Sequence, residues 1–472
     1  MNDLFFGSIA DLQMRIQRRD ISISELAKLH LEHLEQVNPH LNAVVQFNPE
    51  AIYQQASLLD DKLAHENALS PLFGIPFTIK DSIYTKDLIT TSGLTSRKAF
   101  YPDYNATIVN RILAQNGLLL GKTNTPELGC SDETENQVYG RTSNPYNLLM
   151  SVSASSGGEA AAIASGCSVF GIGSDYGGSL REPADFCGIT ALKPTQGRIS
   201  RHGHHPPFFG ILNPLMQFGP MARFVSDLEL IFPYLVGEDI YDPSVLPNKM
   251  QKVLSSGSNH VAFYDEDDTA SSSQNTKKIV ASAIDAISQE GFTVVAHKPD
   301  KIEDARRYWY ALMGADGGAS LKSALSEMPF EELSPAIHTC LKRRETLSMS
   351  TKAYFSLLED INRWCASMHE FIHPYKAIIT PVTSATNRVH GFSYNTGVND
   401  LNFLMPYNIT GWPAVVLRVG TGEDGLPSGI QILAKPWHEK DLFDLAKLIE
   451  TASGGYKPPE MLFLSNQRCG AL

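Results

Sequence analysis

The sequence predicts an α/β fold, a layered β-sheet with helices on both faces, and three observations carry that reading. Stretches of helical and of strand character alternate along the chain, glycines mark the joins, and 43% of the 472 residues are apolar, enough for a large core. Residues 7–38 carry Leu26, Leu29, Leu31 and Leu34 at near-helical spacing, with Ser22 and Ser24 as caps and Pro39 as the stop. Phe73 to Ile79 is a short apolar run with Pro76 near its middle, which predicts an edge strand or a bend. Ala106 to Asn116 reads as helix, Gly117 as its end, and Leu118 to Gly121 as a buried strand. The same helix–Gly–strand order returns at Glu159–Ser165, Gly166 and Ser168–Ile172. Gly429–Leu433 followed by Lys440–Thr451 predicts a last strand and helix.

Charge and cysteine usage narrow the function classes. Lys plus Arg number 39 and Asp plus Glu 51, a net charge of −12, so a polyanion is repelled and nucleic acid is not an expected partner. Six cysteines (130, 167, 187, 340, 365, 469) form no CxxC pair, which predicts reduced thiols in a cytosolic protein, without a disulfide frame or a zinc site. The N-terminal stretch has Asp3 and no apolar h-region, and no segment reaches the roughly 18 apolar residues of a membrane helix. A soluble, cytoplasmic protein with no membrane span is expected. Between Arg141 and Asp175 the only acid or base is Glu159, whereas 264–310 is densely charged. The first reads as buried core around a site, the second as a surface helical layer.

The densest chemical signal is Ser153-Ala-Ser-Ser-Gly-Gly158, followed by Asp175-Tyr-Gly-Gly-Ser-Leu-Arg181. Consecutive glycines let backbone N–H groups converge into an anion-holding nest, and a serine beside a nest has an oxyanion stabiliser ready. Such a serine needs a base. His202, His204 and His205 are the nearest histidines, without an Asp placed to orient them, though a Ser/His/Asp arrangement is recognised by geometry and stays open. Lys80, at the end of an apolar run, is the other candidate, because burial moves a lysine toward neutrality; a strand-end lysine paired with Asp81 is the plainer reading. Competing motifs fail. Gly171, Gly173 and Gly177 imitate a dinucleotide fingerprint, but Pro183 follows, and no acid lies between 186 and 226 to hold a ribose. The His202–His205 cluster has no carboxylate or cysteine beside it, so no metal is expected.

Taken in order, these motifs resemble the amidase signature family: Gly74-Ile-Pro-Phe-Thr-Ile-Lys-Asp81, Gly121-Lys-Thr-Asn-Thr-Pro-Glu-Leu-Gly129, Gly140-Arg-Thr-Ser-Asn-Pro-Tyr-Asn147, Ser155-Ser-Gly-Gly158, Gly173 to Arg181, and Phe186 to Thr195. The likeness continues at Gly219–Arg223, Asn408–Ala414 and Asp424–Gln431, and weakens between about 250 and 370. It implies a single large domain over 1–472 with a twisted mixed sheet: a signature core at about 70–230, a variable helical region at about 250–370, and a return to the core at about 371–472.

The resemblance also implies a Ser–cis-Ser–Lys triad. Ser179 matches the nucleophile, Ser155 the bridging serine after a cis peptide bond, and Lys80 the base. Backbone amides of Tyr176, Gly177, Gly178 and Ser179 match the oxyanion hole, with Asp175, Arg181 and Ser156 in support. A small-molecule amide is the implied substrate, with no metal or organic cofactor, and a homodimer is left open. Gly129, Cys130, Phe208 and Phe209 are expected to touch substrate, the last two because His204–Leu212 is too apolar to lie exposed. Ser153-Ala154 stands where the family usually has Gly-Gly, and Tyr176 where it usually has Ile. Gly157-Gly-Glu159 suggests the fatty-acid amide hydrolase-like branch over the glutamine-dependent tRNA amidotransferases, whose ammonia-supplying chain remains the alternative.

Overall fold

Pro76 does not make an edge. In the computed structural model, Pro76–Lys80 is a central strand, fully buried, and its proline occupies the first position, where the missing N–H disturbs the ladder least. The structure describes all residues except 1, 66–67, 208–209, 247–256, 270, 326–331, 385–387, 392–399 and 461–472. Eleven strands form one mixed sheet: β1 (Val44–Gln46), β2 (Pro76–Lys80), β3 (Leu118–Thr123), β4 (Phe170–Asp175), β5 (Thr190–Lys193), β6 (Gln217–Ala222), β7 (His260–Phe263), β8 (Thr293–Ala296), β9 (Ala377–Thr380), β10 (Ala414–Thr421) and β11 (Pro427–Leu433). Their spatial order is β1-β3-β2-β4-β6-β5-β10-β11-β9-β7-β8. β3, β2 and β4 run parallel, as do β9, β7 and β8, and the strands between these two sets pair antiparallel. This is a single α/β domain of the predicted class.

The N-terminal helical reading divides in two. Ile9–Gln17 and Ile23–Leu41 are separate helices, each opened by a serine capping box, at Ser8 and Ser22. Arg19 breaks the run with a left-handed φ of 59°. Pro39 lies inside the second helix, which stops instead at Asn42, also left-handed at φ 54°. The charged 264–310 stretch supplies the helices Gln274–Gln289 and Asp304–Gly314 at the molecular surface. Among the described residues, no helix is long and apolar enough to cross a membrane.

Two glycines set the spacing around the middle of the sheet. Gly173 on β4 and Gly219 on β6 are directly paired. A Cβ on Gly173 would press on Ser156 and Leu180, at 2.7–2.8 Å, and one on Gly219 would overlap the Leu192 carbonyl and come within 2.7 Å of Leu180. The bare pair lets Leu180 and the serine turn sit directly on the sheet. Gly219→Ala is therefore expected to destabilise the fold by about 2–3 kcal/mol, read as a lowered urea midpoint with an unchanged slope; an unchanged midpoint would mean the sheet yields without cost.

Candidate active site

Strand β2 delivers Lys80 to the end of the sheet between β3 and β4, where its side chain is almost wholly buried. Its Nζ meets three hydroxyls: Ser155 Oγ at 2.6 Å, Ser156 Oγ at 3.0 Å and Ser174 Oγ at 3.0 Å. Burial lowers the lysine to about 7, with Asp175 and Glu159 pulling the other way. Asp81 is not its partner. That carboxylate accepts from the Thr91 amide at 3.1 Å and interacts with the buried Lys122, so the plain strand-end pair is not what the structure holds.

Ser155 and Ser156 sit in the turn that opens the helix Gly157–Ala164, itself entirely buried. Ser153 reaches this turn with φ 61°, a left-handed conformation that a serine adopts at some cost, which explains why glycine is usual at this place. The peptide before Ser155 is trans, contrary to the cis bond that the resemblance implies; among the described residues the cis bond is His205–Pro206. The amide of Ser155 donates to Ser179 Oγ at 3.3 Å, so the second motif is brought against the first.

The turn after β4 is built around a buried ion pair. Asp175 accepts from Arg181 Nε at 2.9 Å and Nη2 at 3.1 Å, from Asn408 Nδ2 at 2.8 Å, and from the amides of Gly178 at 2.8 Å and Leu180 at 3.3 Å. Burial alone would raise this carboxyl, but the guanidinium and its other donors outweigh that and hold it well below the usual carboxylate range. The Gly178 amide is thereby committed to Asp175, which removes it from the expected oxyanion set. The Gly177 and Ser179 amides have no acceptor among the described residues, and Ser179 is only half-buried. Arg181 further reaches Leu404 O, Gln431 Oε1 and Asn408 Oδ1, tying the turn to the C-terminal return.

The histidines do not assemble with Ser179. His202 is stacked between Tyr104 and Tyr241. His204 Nδ1 faces the Pro206 carbonyl at 2.9 Å and so carries the proton, leaving Nε2 3.2 Å from both Ser82 Oγ and Ser174 Oγ. Burial holds His204 and His205 down at about 3, in the neutral form. Among the described residues no group of three or more His, Cys, Asp or Glu is placed to hold a metal ion.

Lys80, Ser155 and Ser179 open onto one cavity of about 950 Å³. Gly129 forms part of its wall, close enough that a Cβ there would stand 3.5 Å from Ser155 Oγ; Cys130 follows it. Much of the remaining wall comes from the region of weak resemblance, with Trp309, Tyr310, Leu321 and Arg344 among its residues. Trp309 also donates its indole N–H to the Tyr176 carbonyl at 3.2 Å. His205, Pro206 and Pro207 reach the cavity, while Phe208 and Phe209 lie outside the described residues. Sequence reasoning missed Ser174 and His204 as neighbours of Lys80. Ser174 stood inside a quoted motif, but nothing in its type or spacing sets it apart.

A family model described as Amidase matches residues 25–443. The chain belongs to the amidase family. It is accordingly a hydrolase of C–N amide bonds. It is 30% identical to the A-type chain of glutamyl-tRNA(Gln) amidotransferase from Dehalococcoides mccartyi, over 97% of this chain and 99% of that one. In fold it is similar to 6-aminohexanoate cyclic dimer hydrolase, with a TM-score of 0.86 and 24% identity over 97% of this chain and 99% of that one. Fatty acid amide hydrolase is similar too, at a TM-score of 0.83 and 22% identity, covering 96% and 86%. At such identities the two structural likenesses speak for the fold alone, and the leaning toward the fatty-acid amide hydrolase-like branch gains no support. The structure gives the reason. Glu159, which suggested that branch, is buried beneath the site against Thr78 and Thr123, away from the cavity wall, and carries no information about substrate.

Arg181→Met should leave Asp175 charged and buried without its cation, at a cost of about 3–5 kcal/mol in urea unfolding. Asp175→Asn combined with Arg181→Met should recover part of that loss. If the double variant is as unstable as the two single losses added, the pair is not coupled.

Proposed function

We propose that this protein hydrolyses a carboxylic amide to an acid plus ammonia or an amine through an acyl-Ser179 intermediate. The observation that carries the reading is the buried, near-neutral Lys80 within 2.6 Å of Ser155 Oγ, with Ser179 Oγ held by the Ser155 amide. In this reading neutral Lys80 takes a proton from Ser155, and Ser155 takes one from Ser179 as Ser179 Oγ attacks the carbonyl carbon. The amides of Gly177 and Ser179, together with that of Tyr176, face the developing oxyanion. The proton returns through Ser155 to the leaving nitrogen, and water then releases the acid. Ser156 and Ser174 fix the amine of Lys80 in place.

A second reading rests on the glutamyl-tRNA(Gln) amidotransferase chains among the relatives, at 28–30% identity along nearly the whole chain. The same serines and lysine would then free ammonia from glutamine for a partner. The mixed aromatic, aliphatic and basic wall of the cavity supports a small-molecule substrate in either case. Release of ammonia and amine, measured across straight-chain amides, aryl amides and glutamine, separates the two: turnover of simple amides by the chain alone favours the first, and glutamine turnover that needs an added partner the second.

Ser179→Ala is expected to lower kcat/KM by at least a thousandfold, about 4 kcal/mol of transition-state stabilisation, with the fold intact. For the wild type, kcat/KM should rise with pH through about 7 as Lys80 loses its proton. Glu159→Gln should move that limb to lower pH, because the carboxylate's charge favours the ammonium form. A limb that stays in place in Lys80→Ala would remove Lys80 from the base role.

A further inference from the structure

Two of the cavity's wall residues are cysteines that the proposed chemistry does not use. Cys130 follows the short turn Glu127–Gly129, whose glycine lies against Ser155. Cys340 lies on the helix Pro335–Thr346, one turn before Arg344. Both residues line the cavity, both pack on one apolar cluster that includes Leu94, Leu128, Leu321 and Ile337, and their side chains are close enough to influence each other's ionisation. The other described cysteines are placed differently. Cys167 and Cys187 are fully buried, and Cys365 lies outside this cavity.

We propose that Cys130 and Cys340 are a redox-modifiable thiol pair in the wall of the active-site cavity, which a peroxide joins into a disulfide. Arg344 supplies the electropositive surroundings that reactive thiols need. It is mostly buried, its Nε has no acceptor among the described residues, and its Nη2 reaches the Met313 sulfur at 4.0 Å. The neighbouring Cys130 side chain, and then Arg344, lower the Cys340 thiol, whereas Cys340 and burial push the Cys130 thiol up. Cys340, one helical turn from the Arg344 cation, is the attacking sulfur and Cys130 the resolving one.

The steps balance. The Cys340 thiolate attacks one oxygen of hydrogen peroxide, the O–O bond breaks, and the departing hydroxide takes up a proton to leave as water, giving a sulfenic acid at Cys340. The sulfur of Cys130 then displaces that hydroxyl, the S–S bond forms, and a second water carries away the Cys130 proton. Two thiols are oxidised by two electrons and one peroxide is reduced to two waters. A dithiol reductant reverses the bond. The product ties the helix Pro335–Thr346 to the turn whose Gly129 lies against Ser155, within the wall of the cavity.

The test reads the polypeptide, so it does not depend on the proposed hydrolysis. Full-length protein is incubated with a small excess of hydrogen peroxide, its remaining thiols are alkylated, and it is digested without reductant for mass spectrometry. The expected result is near-complete loss of the alkylated Cys130 and Cys340 peptides and the appearance of one cross-linked species joining them. That species should disappear with dithiothreitol and be absent from Cys340→Ser and from Cys130→Ser treated alike. Wild-type protein in which both cysteines remain alkylatable, or in which each is oxidised separately to a sulfinic acid without a cross-link, overturns the proposal, and neither result requires a variant to fold.

Discussion

The carboxylate of Asp175 is the point from which the site is built. Buried at the end of β4, it accepts from a guanidinium, a side-chain amide and two backbone amides, and each donor comes from a part of the chain that must be positioned. The amides of Gly178 and Leu180 curl the turn so that Ser179, between them, projects toward Ser155. Arg181 carries the tie onward to Gln431 on β11 and to Leu404, so the turn that holds Ser179 is braced from the far half of the sequence. A buried charge of this kind contributes little net stability against an apolar substitute of the same shape. Its value lies in geometry, because one acceptor satisfied by so many donors leaves the loop a single arrangement.

Lys80 experiences the opposite electrostatics. It has hydroxyls around it in place of a carboxylate, and solvent is excluded, so the neutral amine competes with the ammonium near neutral pH. Asp175 and Glu159 are near enough to temper the shift without pairing with the amine. Lys122, a neighbour on β3, is lowered by burial as well, to about 8, with Asp81 pulling the other way, and its Nζ donates to the Ile83 carbonyl and the Thr85 and Thr90 hydroxyls. Two buried lysines at the end of one sheet thus share their electrostatics and differ in the hydroxyls they meet.

How much of this was legible in the sequence depends on how far apart the contacting residues lie. Lys80, Ser155 and Ser179 each stand in a compact motif, because turns, glycines and strand ends around them have to be specified locally. Ser174 was not singled out, and His204 was weighed only as a base for the serine, since the contacts of Ser174 with Lys80 and with His204 arise only when β4 and a distant loop meet. Pro76 was misread for a different reason: proline speaks against a central strand everywhere except at the first position, and an apolar run does not announce its own register. The capping boxes at Ser8 and Ser22 could have divided the N-terminal helix, as each pairs a serine with an acid three residues on. The cavity wall from 304 to 347 was least legible, because its residues are defined by a partner surface and follow no motif of their own.

That division of labour has a consequence for how such a molecule can vary. Lys80, Ser155 and Ser179 are fixed to strand ends and turns between residues 80 and 181, whereas a large share of the cavity's wall comes from one later stretch, in the helices Asp304–Gly314, Ala319–Ala324 and Pro335–Thr346. A roof contributed in one piece can be exchanged in one piece. Drift, or a deliberate graft of that segment from a related chain, can thus remake what the chamber admits while the machinery beneath it stays untouched.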